Sequence, residues 1–387
     1  MKRLTLSVLI VVMAIVMTSC SSNDKKSESK ELKELGKTEG ALNLVAWAGY
    51  VEDGSNDPAV DWVSDFEKET DCKVNVKVGA TSDEMVELMQ SGEYDGVSAS
   101  GDATQRLIAG GDVAPVNTDL VPNYADVNEN LKNQPWNSVD GQMYGIPHGY
   151  GANLLMYNTD VVKPAPDSWN IVWDKGAQYK GKITAYDSPI YIADAALYLK
   201  ATKPDLKIEN PYALDDKQFK AAMSLLEDQK ENIGEYWSDY ALSQSAFASG
   251  SIVAGTTWQV IANLLTAENA PVATVLPKEG STGWSDTWMI SSKAEHPNCM
   301  YKWMDHIISP KANAAVAEYF GEAPSNLKAC SETSDPKHCE TYHADDDKFI
   351  NQIAFWTTPT EKCLDGRTDV KCTTYADWTK AWNELKG

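Results

Sequence analysis

The sequence predicts a mixed α/β protein whose chain forms two lobes with a cleft between them. Strand and helix patterns alternate from residue 42 to 109, and the same alternation returns from about residue 152 to 270. The chain passes between these regions near Tyr150 and again near Pro277. Two covered sheets joined in this way leave a cleft at their junction, which is a common place for a ligand.

The first region alternates between strands and helices. Val74, Val76 and Val78 alternate with polar residues as in a strand, whereas residues 60–69 carry apolar side chains at helical spacing. We predict strands at 42–46, 73–78 and 94–97, and helices at 60–69, 82–90 and 103–109. Ligands of parallel sheets gather beyond the carboxyl ends of the strands. Residues at such ends are Trp47, Tyr50, Ser100 and Asp102.

The second region repeats the pattern after a small hairpin at 139–146 and a kinked connection at 147–151. We predict strands at 152–158, 183–187, 252–255 and 272–276, and helices at 192–201, 215–229, 243–249 and 259–268. The remainder is mainly helical, with helices at 299–308, 312–319 and 375–385.

The segment PKEGSTGWSDTWMI, residues 277–290, carries an aromatic residue and an acid at a spacing of two. Residues i and i+2 of an extended chain face the same side, so Trp284 and Asp286 can face one cavity. An indole face beside an anion suits an organic ammonium group. Alternatively, Trp284 belongs to the core and Asp286 caps a turn.

Composition limits the partners of the chain. Its 387 residues suffice for two domains, and its net charge of −22 argues against nucleic acid. The same charge is compatible with a cationic small ligand, although it also serves solubility. We expect a monomer without a cofactor.

The amino terminus predicts export. Lys2 and Arg3 precede an apolar run, residues 4–17, that is shorter than a membrane-spanning helix. The run ends in MTSC, which is similar to a bacterial lipoprotein signal with Cys20 as the lipidated residue. Residues 1–20 would be the signal and 21–40 a flexible tether to the membrane. Alternatively, the signal is an ordinary one and Cys20 is incidental.

The other six of the seven cysteines suggest disulfides in an oxidising compartment. Cys330 with Cys339, and Cys363 with Cys372, would each close a short loop. Cys72 and Cys299 would then pair across a long span, unless they are separate buried thiols. The chain has no CxxC motif and its five histidines are scattered, so we predict no metal site.

From about Leu42 to its end, the chain resembles the periplasmic spermidine/putrescine-binding proteins of ABC transporters. Matching segments are AWAGY (46–50), DFEKETDCKV (65–74), YDGVSASG (94–101), YGIPHGYG (144–151), FASGSIVAGTTW (247–258) and PVATVLPKEGSTGWSDTWMI (271–290). The resemblance implies a type II periplasmic-binding-protein fold that delivers its ligand to permease subunits without catalysis. It implies lobe 1 at 41–149 plus 285–325, lobe 2 at 150–284, and a C-terminal segment, 326–387, packed across both.

The resemblance also implies a ligand site of aromatic walls and carboxylates. Residues matched to it are Trp47, Tyr50, Ser100, Asp187, Trp258, Trp284, Asp286 and Trp356. Asp187 lies at or beside the matching position, and Thr357 stands where the family has glutamine. Asp102 and Glu322 fall where the family has tyrosine. If both face the cleft, the site has up to four acids and prefers a different cation; if they face solvent, it is an ordinary polyamine site.

Other functions remain open at this point. The same fold binds other cations, such as ferric iron, or sugars, and tryptophan with aspartate also lines the sites of carboxylate-based hydrolases. Not all of the 13 tryptophans can line one site. We expect core or interlobe packing for Trp62, Trp169, Trp173, Trp303 and Trp378.

Overall fold

The computed structural model describes residues 31–387. The predicted signal 1–20, with Cys20, and the first part of the predicted tether lie outside the described residues. Within the described range, no helix combines the length and apolar character needed to cross a membrane.

Strands and helices alternate along most of the chain. The strands are β1 Ala41–Ala46, β2 Lys73–Val78, β3 Gly96–Ala99, β4 Ser138–Val139, β5 Gln142–Met143, β6 Gly145–Ala152, β7 Leu154–Asn158, β8 Ile183–Tyr186, β9 Ile233–Trp237, β10 Ala254–Thr257, β11 Val272–Val275, β12 Ser281–Ile290, β13 Ala323–Pro324 and β14 Ile353–Phe355. The helices are α1 Val63–Thr70, α2 Ser82–Ser91, α3 Gly101–Gly110, α4 Ile192–Thr202, α5 Asp216–Lys230, α6 Tyr240–Ala248, α7 Gln259–Ala267, α8 Pro297–Ile307, α9 Pro310–Phe320, α10 His338–Thr341, α11 Asp347–Ile350 and α12 Tyr375–Lys386.

Two main sheets organise the structure. The first has the order β13-β6-β12-β3-β1-β2, with β14 paired to β12. The second has the order β11-β7-β10-β8-β9. Leu44 and Val45 of β1 join different core clusters, as do Leu155 and Met156 of β7. Both sheets are therefore covered on both faces, which explains the apolar runs in their strands.

The chain passes between the sheets in three places. Asn153 separates β6 from β7, and residues 276–280 separate β11 from β12. Later, β14 pairs with the first sheet while Trp378 and Trp382 of α12 join the core of the second. Strand pairing puts all of β6 and β12 in the first sheet, a few residues beyond the predicted limits at 150 and 285. The exact lobe limits stay a prediction.

The predicted kinked connection at 147–151 is wrong, because these residues continue β6. Asp286 pairs with Gly149 and Thr287 pairs with Pro147, so His148 is the extra residue of a bulge. A bulge tolerates a proline and redirects a side chain without ending the ladder. The sequence pattern also misses β9, β13 and β14, and β13 and β14 are too short to show an alternation of their own.

Three disulfides join Cys72 to Cys299, Cys330 to Cys339 and Cys363 to Cys372, as the spacing predicts. The last two close loops of nine residues' separation, whereas the first spans 227. It connects the start of β2 to α8 inside the core of the first sheet.

Candidate ligand-binding site

Strand β12 brings Trp284 and Asp286 to one buried face where the two sheets meet. The side chains are 5% and 3% exposed. Gly151 and Gly149 of β6 lie opposite them. A Cβ at Gly151 would collide with the indole of Trp284, and one at Gly149 would collide with the carboxyl group of Glu322. Gly151 and Gly149 of β6 therefore leave the space that the side chains of Trp284 and Glu322 occupy.

Asp286 lies in a cluster of buried oxygen atoms. Ser100 precedes α3, and its Oγ hydrogen bonds to Asp286 Oδ1. Tyr50, which follows β1, places its Oη 2.8 Å from Asp286 Oδ2 and 2.9 Å from Glu322 Oε2. Burial raises the pKa of Asp286 to about 6, although the bonds from Ser100 and Tyr50 oppose that shift.

Asp102 adds a second acid to this region from the first turn of α3. It is buried and receives a hydrogen bond of 3.1 Å from Ser82 Oγ. Burial raises its pKa to about 6, and its charge in turn raises the pKa of Asp286. Within residues 31–387, no lysine or arginine forms an ion pair with Asp102, Asp286 or Glu322. The region therefore carries buried acids without a cationic partner from the protein, which is costly unless they are protonated or bind a cation.

Aromatic rings surround the acids on the side of the second sheet. The Trp258 and Trp284 ring centroids lie 6.1 Å apart at an interplanar angle of 70°. Trp356 stacks on Tyr186 with centroids 5.3 Å apart, and Tyr186 also contacts Trp258. The indole nitrogens of Trp284 and Trp356 are buried without a hydrogen-bond partner in the described part of the protein. Such walls can cover an alkyl chain without directional bonds.

The structure does not bring every predicted residue together. Asp187 turns to the terminal helix, where its carboxylate pairs with Lys386 and accepts a 3.3 Å hydrogen bond from Trp382 Nε1. Its expected role as a ligand carboxylate is therefore not supported, since the protein already supplies its cation. Trp47 is only partly buried and packs against two core clusters of the first sheet, with its indole nitrogen unpaired.

Sequence reasoning missed three residues of the region. Tyr186 ends β8, and the charges of Asp102 and Asp286 help to raise its pKa, although burial is the larger cause. Its position at the carboxyl end of a predicted strand is a signal that could have found it. Phe320 packs against both Tyr50 and Trp284, with centroids at 4.5 and 5.9 Å. Asn153 accepts a 3.0 Å hydrogen bond from Trp258 Nε1. No local pattern marked Phe320 or Asn153.

The side chains of Trp284 and Asp286 are almost completely buried between the sheets. A cavity of about 20 Å³ remains beside Tyr150, Trp258, Trp284 and Tyr342. A larger cavity of about 750 Å³ lies elsewhere, as an open groove near Trp62, Phe66 and Lys302, and contains none of the acids described above. We assign no ligand to this groove, because its charges are mixed. Among the described residues, no group of three His, Cys, Asp or Glu side chains is arranged to hold a metal ion.

The fold, with buried acids and aromatic rings between its two sheets, is that of a solute-binding protein. The family of bacterial extracellular solute-binding proteins matches residues 61–341, and the chain belongs to it. The spermidine/putrescine-binding periplasmic protein 1 of Haemophilus influenzae is 25% identical over 322 residues, which cover 82% of this chain and 83% of that protein.

Solved structures agree on the architecture. A putative spermidine/putrescine ABC transporter protein from Listeria monocytogenes has a TM-score of 0.72 at 20% identity, covering 90% of this chain and 99% of that one. A lipoprotein of Treponema pallidum has a TM-score of 0.70 at 16% identity, covering 89% and 99%. The predicted two-lobed fold of periplasmic binding proteins is confirmed.

Proposed function

We propose that this protein captures a small organic polycation of the putrescine and spermidine class and delivers it to the permease subunits of an ABC transporter. The observation that carries the proposal is Asp286, a buried carboxylate without a basic partner among residues 31–387, on the same face of β12 as the indole of Trp284. An ammonium group placed there gains both a counter-ion and an aromatic face. Trp258 and Trp356 would cover the alkyl chain.

Two further findings support this ligand class. The relatives that match most of the chain carry names of spermidine- and putrescine-binding proteins. The net charge of −22 creates a field that favours encounter with cations. Binding without catalysis fits the family of solute-binding proteins to which the chain belongs.

Entry of the ligand would require the lobes to separate, because Trp284 and Asp286 are buried in this structure. The crossings at Asn153 and at residues 276–280 are the natural hinges. Asn153 Nδ2 donates a 2.7 Å hydrogen bond to Thr282 Oγ1, and Thr282 Oγ1 donates a 2.9 Å bond to Asp194 Oδ1. These bonds tie the crossing at Asn153 to the start of β12 and to α4, so we expect opening to turn about this point.

Calorimetric titration tests the ligand class directly. We expect putrescine or spermidine to bind with a measurable heat, and maltose and ferric citrate to give none. If the protein instead bound a sugar or ferric iron with the same fold, maltose or ferric citrate would give the heat and the polyamines would give none. Binding of maltose or ferric citrate, with no heat from either polyamine, would disprove the proposed class.

We also propose that the protein is held outside the cytoplasm by lipid on Cys20. Residues 21–30 are polar and would act as part of a tether to the folded body, which begins its first strand at Ala41. Replacing Cys20 by Ser should move the protein from the membrane fraction to the soluble fraction. If the variant stays with the membrane after a high-salt wash, the lipid on Cys20 is not the anchor.

A further inference from the structure

Tyr50 holds two carboxyl groups with one hydroxyl. Its Oη lies 2.8 Å from Asp286 Oδ2 and 2.9 Å from Glu322 Oε2, and both distances are those of hydrogen bonds. A phenol has a single proton, so it can donate to only one of these oxygens at a time. If both acids were ionised, the second contact would set an oxygen lone pair against an anion. One of the two acids must therefore donate to Tyr50.

His148 does not neutralise Glu322. Its Nδ1 lies 3.1 Å from Trp288 Nε1, which can only donate, so Nδ1 is an acceptor and carries no proton. The remaining proton is on Nε2, which lies 3.4 Å from Glu322 Oε1. The imidazole is neutral in this arrangement, and full burial agrees by lowering its pKa to about 3. The bulge in β6 puts this ring between Trp288 and Glu322.

The contacts decide which acid holds the proton. Tyr50 contacts both acids and so does not distinguish them, but Ser100 donates a hydrogen bond to Asp286 Oδ1, and such a bond favours the anion of Asp286. Glu322 Oε1 has only the longer contact with His148. Burial raises the pKa of Glu322 well above its usual range, and the charge of Asp286 adds to this. The groups facing Glu322 are Tyr50, His148 and Asp286, with His338 on its backbone oxygen and Tyr342 nearby.

We propose that Glu322 is a protonated carboxylic acid at neutral pH, which donates to Tyr50 and thereby directs the Tyr50 proton to Asp286. Glu322 then donates to Tyr50 and Tyr50 donates to Asp286, while His148 Nε2 lies 3.4 Å from Glu322 Oε1 without a hydrogen bond between them. Glu322 is a positioning residue in this arrangement, and Asp286 is the anion beside it. If the proposed function holds, the group formed by Asp286, Tyr50 and Glu322 presents one negative charge, and not two, to an ammonium group of the ligand.

Glu322→Gln tests the assignment, because its amide can donate to Tyr50 and accept from His148 without carrying a charge. We expect this variant to bind the polyamine within about threefold of wild type. Asp286→Asn is the matched variant, and it should lose about 100-fold or more. A loss in Glu322→Gln as large as in Asp286→Asn, in a folded protein, would show that Glu322 is an anionic contact and overturn the proposal.

An infrared measurement on the ligand-free protein gives a readout that binding does not affect. With carbon-13 glutamate in the chain, we expect an isotope-shifted carboxylic acid C=O band at pH 7, kept in Asp286→Asn and lost in Glu322→Gln. Absence of this band from wild type would overturn the proposal even if Glu322→Gln failed to fold. If wild type bound no polyamine, the proposed function would fail, but the band would still decide whether Glu322 carries a proton.

Discussion

Asp286→Asn should nearly abolish polyamine binding. Asparagine has almost the same volume, and its Oδ1 can still accept a hydrogen bond from Tyr50 while its Nδ2 donates to Ser100 Oγ, so the change mainly removes the charge. The ammonium group of the ligand would then be buried without its counter-ion, which costs about 2–5 kcal/mol in comparable buried pairs. Calorimetry should show the dissociation constant rising by about 100-fold or more.

Two comparisons make this result specific. Trp284→Ala should weaken binding less, since it removes packing and an aromatic face but leaves the counter-ion. The unfolding midpoint of ligand-free Asp286→Asn should be equal to or higher than that of wild type, because a buried acid without a cationic partner is replaced by a neutral amide. If Asp286→Asn bound putrescine and spermidine as tightly as wild type, the site would lie elsewhere.

The raised pKa of Asp286, about 6, gives the binding a pH dependence of known sign. A cation binds the ionised carboxylate, so affinity should fall as the pH drops below about 6, and binding there should release a proton.

The free energy of unfolding of the ligand-free protein should change in the opposite direction and rise as the pH drops. Between the usual pKa near 4 and about 6, the folded protein binds more protons than the unfolded chain, so this contribution to stability falls as the pH rises through that window.

The central part of the site was predictable because it depends on local geometry. Trp284 and Asp286 are two residues apart in an extended strand, and the period of a strand fixes that they share a face. Trp62, Trp169, Trp173, Trp303 and Trp378, expected in packing roles, are all buried in the structure. Trp62, Trp303 and Trp378 lie in helices that the sequence predicts, whereas Trp169 and Trp173 lie between predicted elements.

Other features of the fold and of the site depend on tertiary contacts that no local sequence pattern shows. Pro147 and Gly151 suggest a break in the chain, yet β12 offers a ladder along which β6 continues through a bulge. Asp187 lies at the end of a strand like other site residues, but its carboxylate forms an ion pair with Lys386, which is 199 positions away in the sequence. The orientation of Glu322 toward Tyr50 depends on Gly149 in a third element. These outcomes are set by tertiary packing, so sequence reasoning could only leave them open.

Removing the disulfide between Cys72 and Cys299 should give the largest loss of stability. The bridge closes a span of 227 residues, and in the chain-entropy model a loop of that length contributes about 5 kcal/mol. Both cysteines are fully buried, so alanine at each position also leaves some unfilled space. We expect the double variant Cys72→Ala, Cys299→Ala to lower the free energy of unfolding by up to about 5 kcal/mol in urea titration.

The bridge between Cys330 and Cys339 supplies the matched control. Its separation is only nine residues, so the same model gives about 3 kcal/mol for the corresponding double alanine variant. Ligand affinity should be kept without the long bridge. Cys72 precedes β2, at the amino ends of the parallel strands, whereas Tyr50 lies beyond the carboxyl end of β1, at the opposite edge of the sheet. Equal losses from the two double variants would show that loop length does not set the contribution of the long bridge.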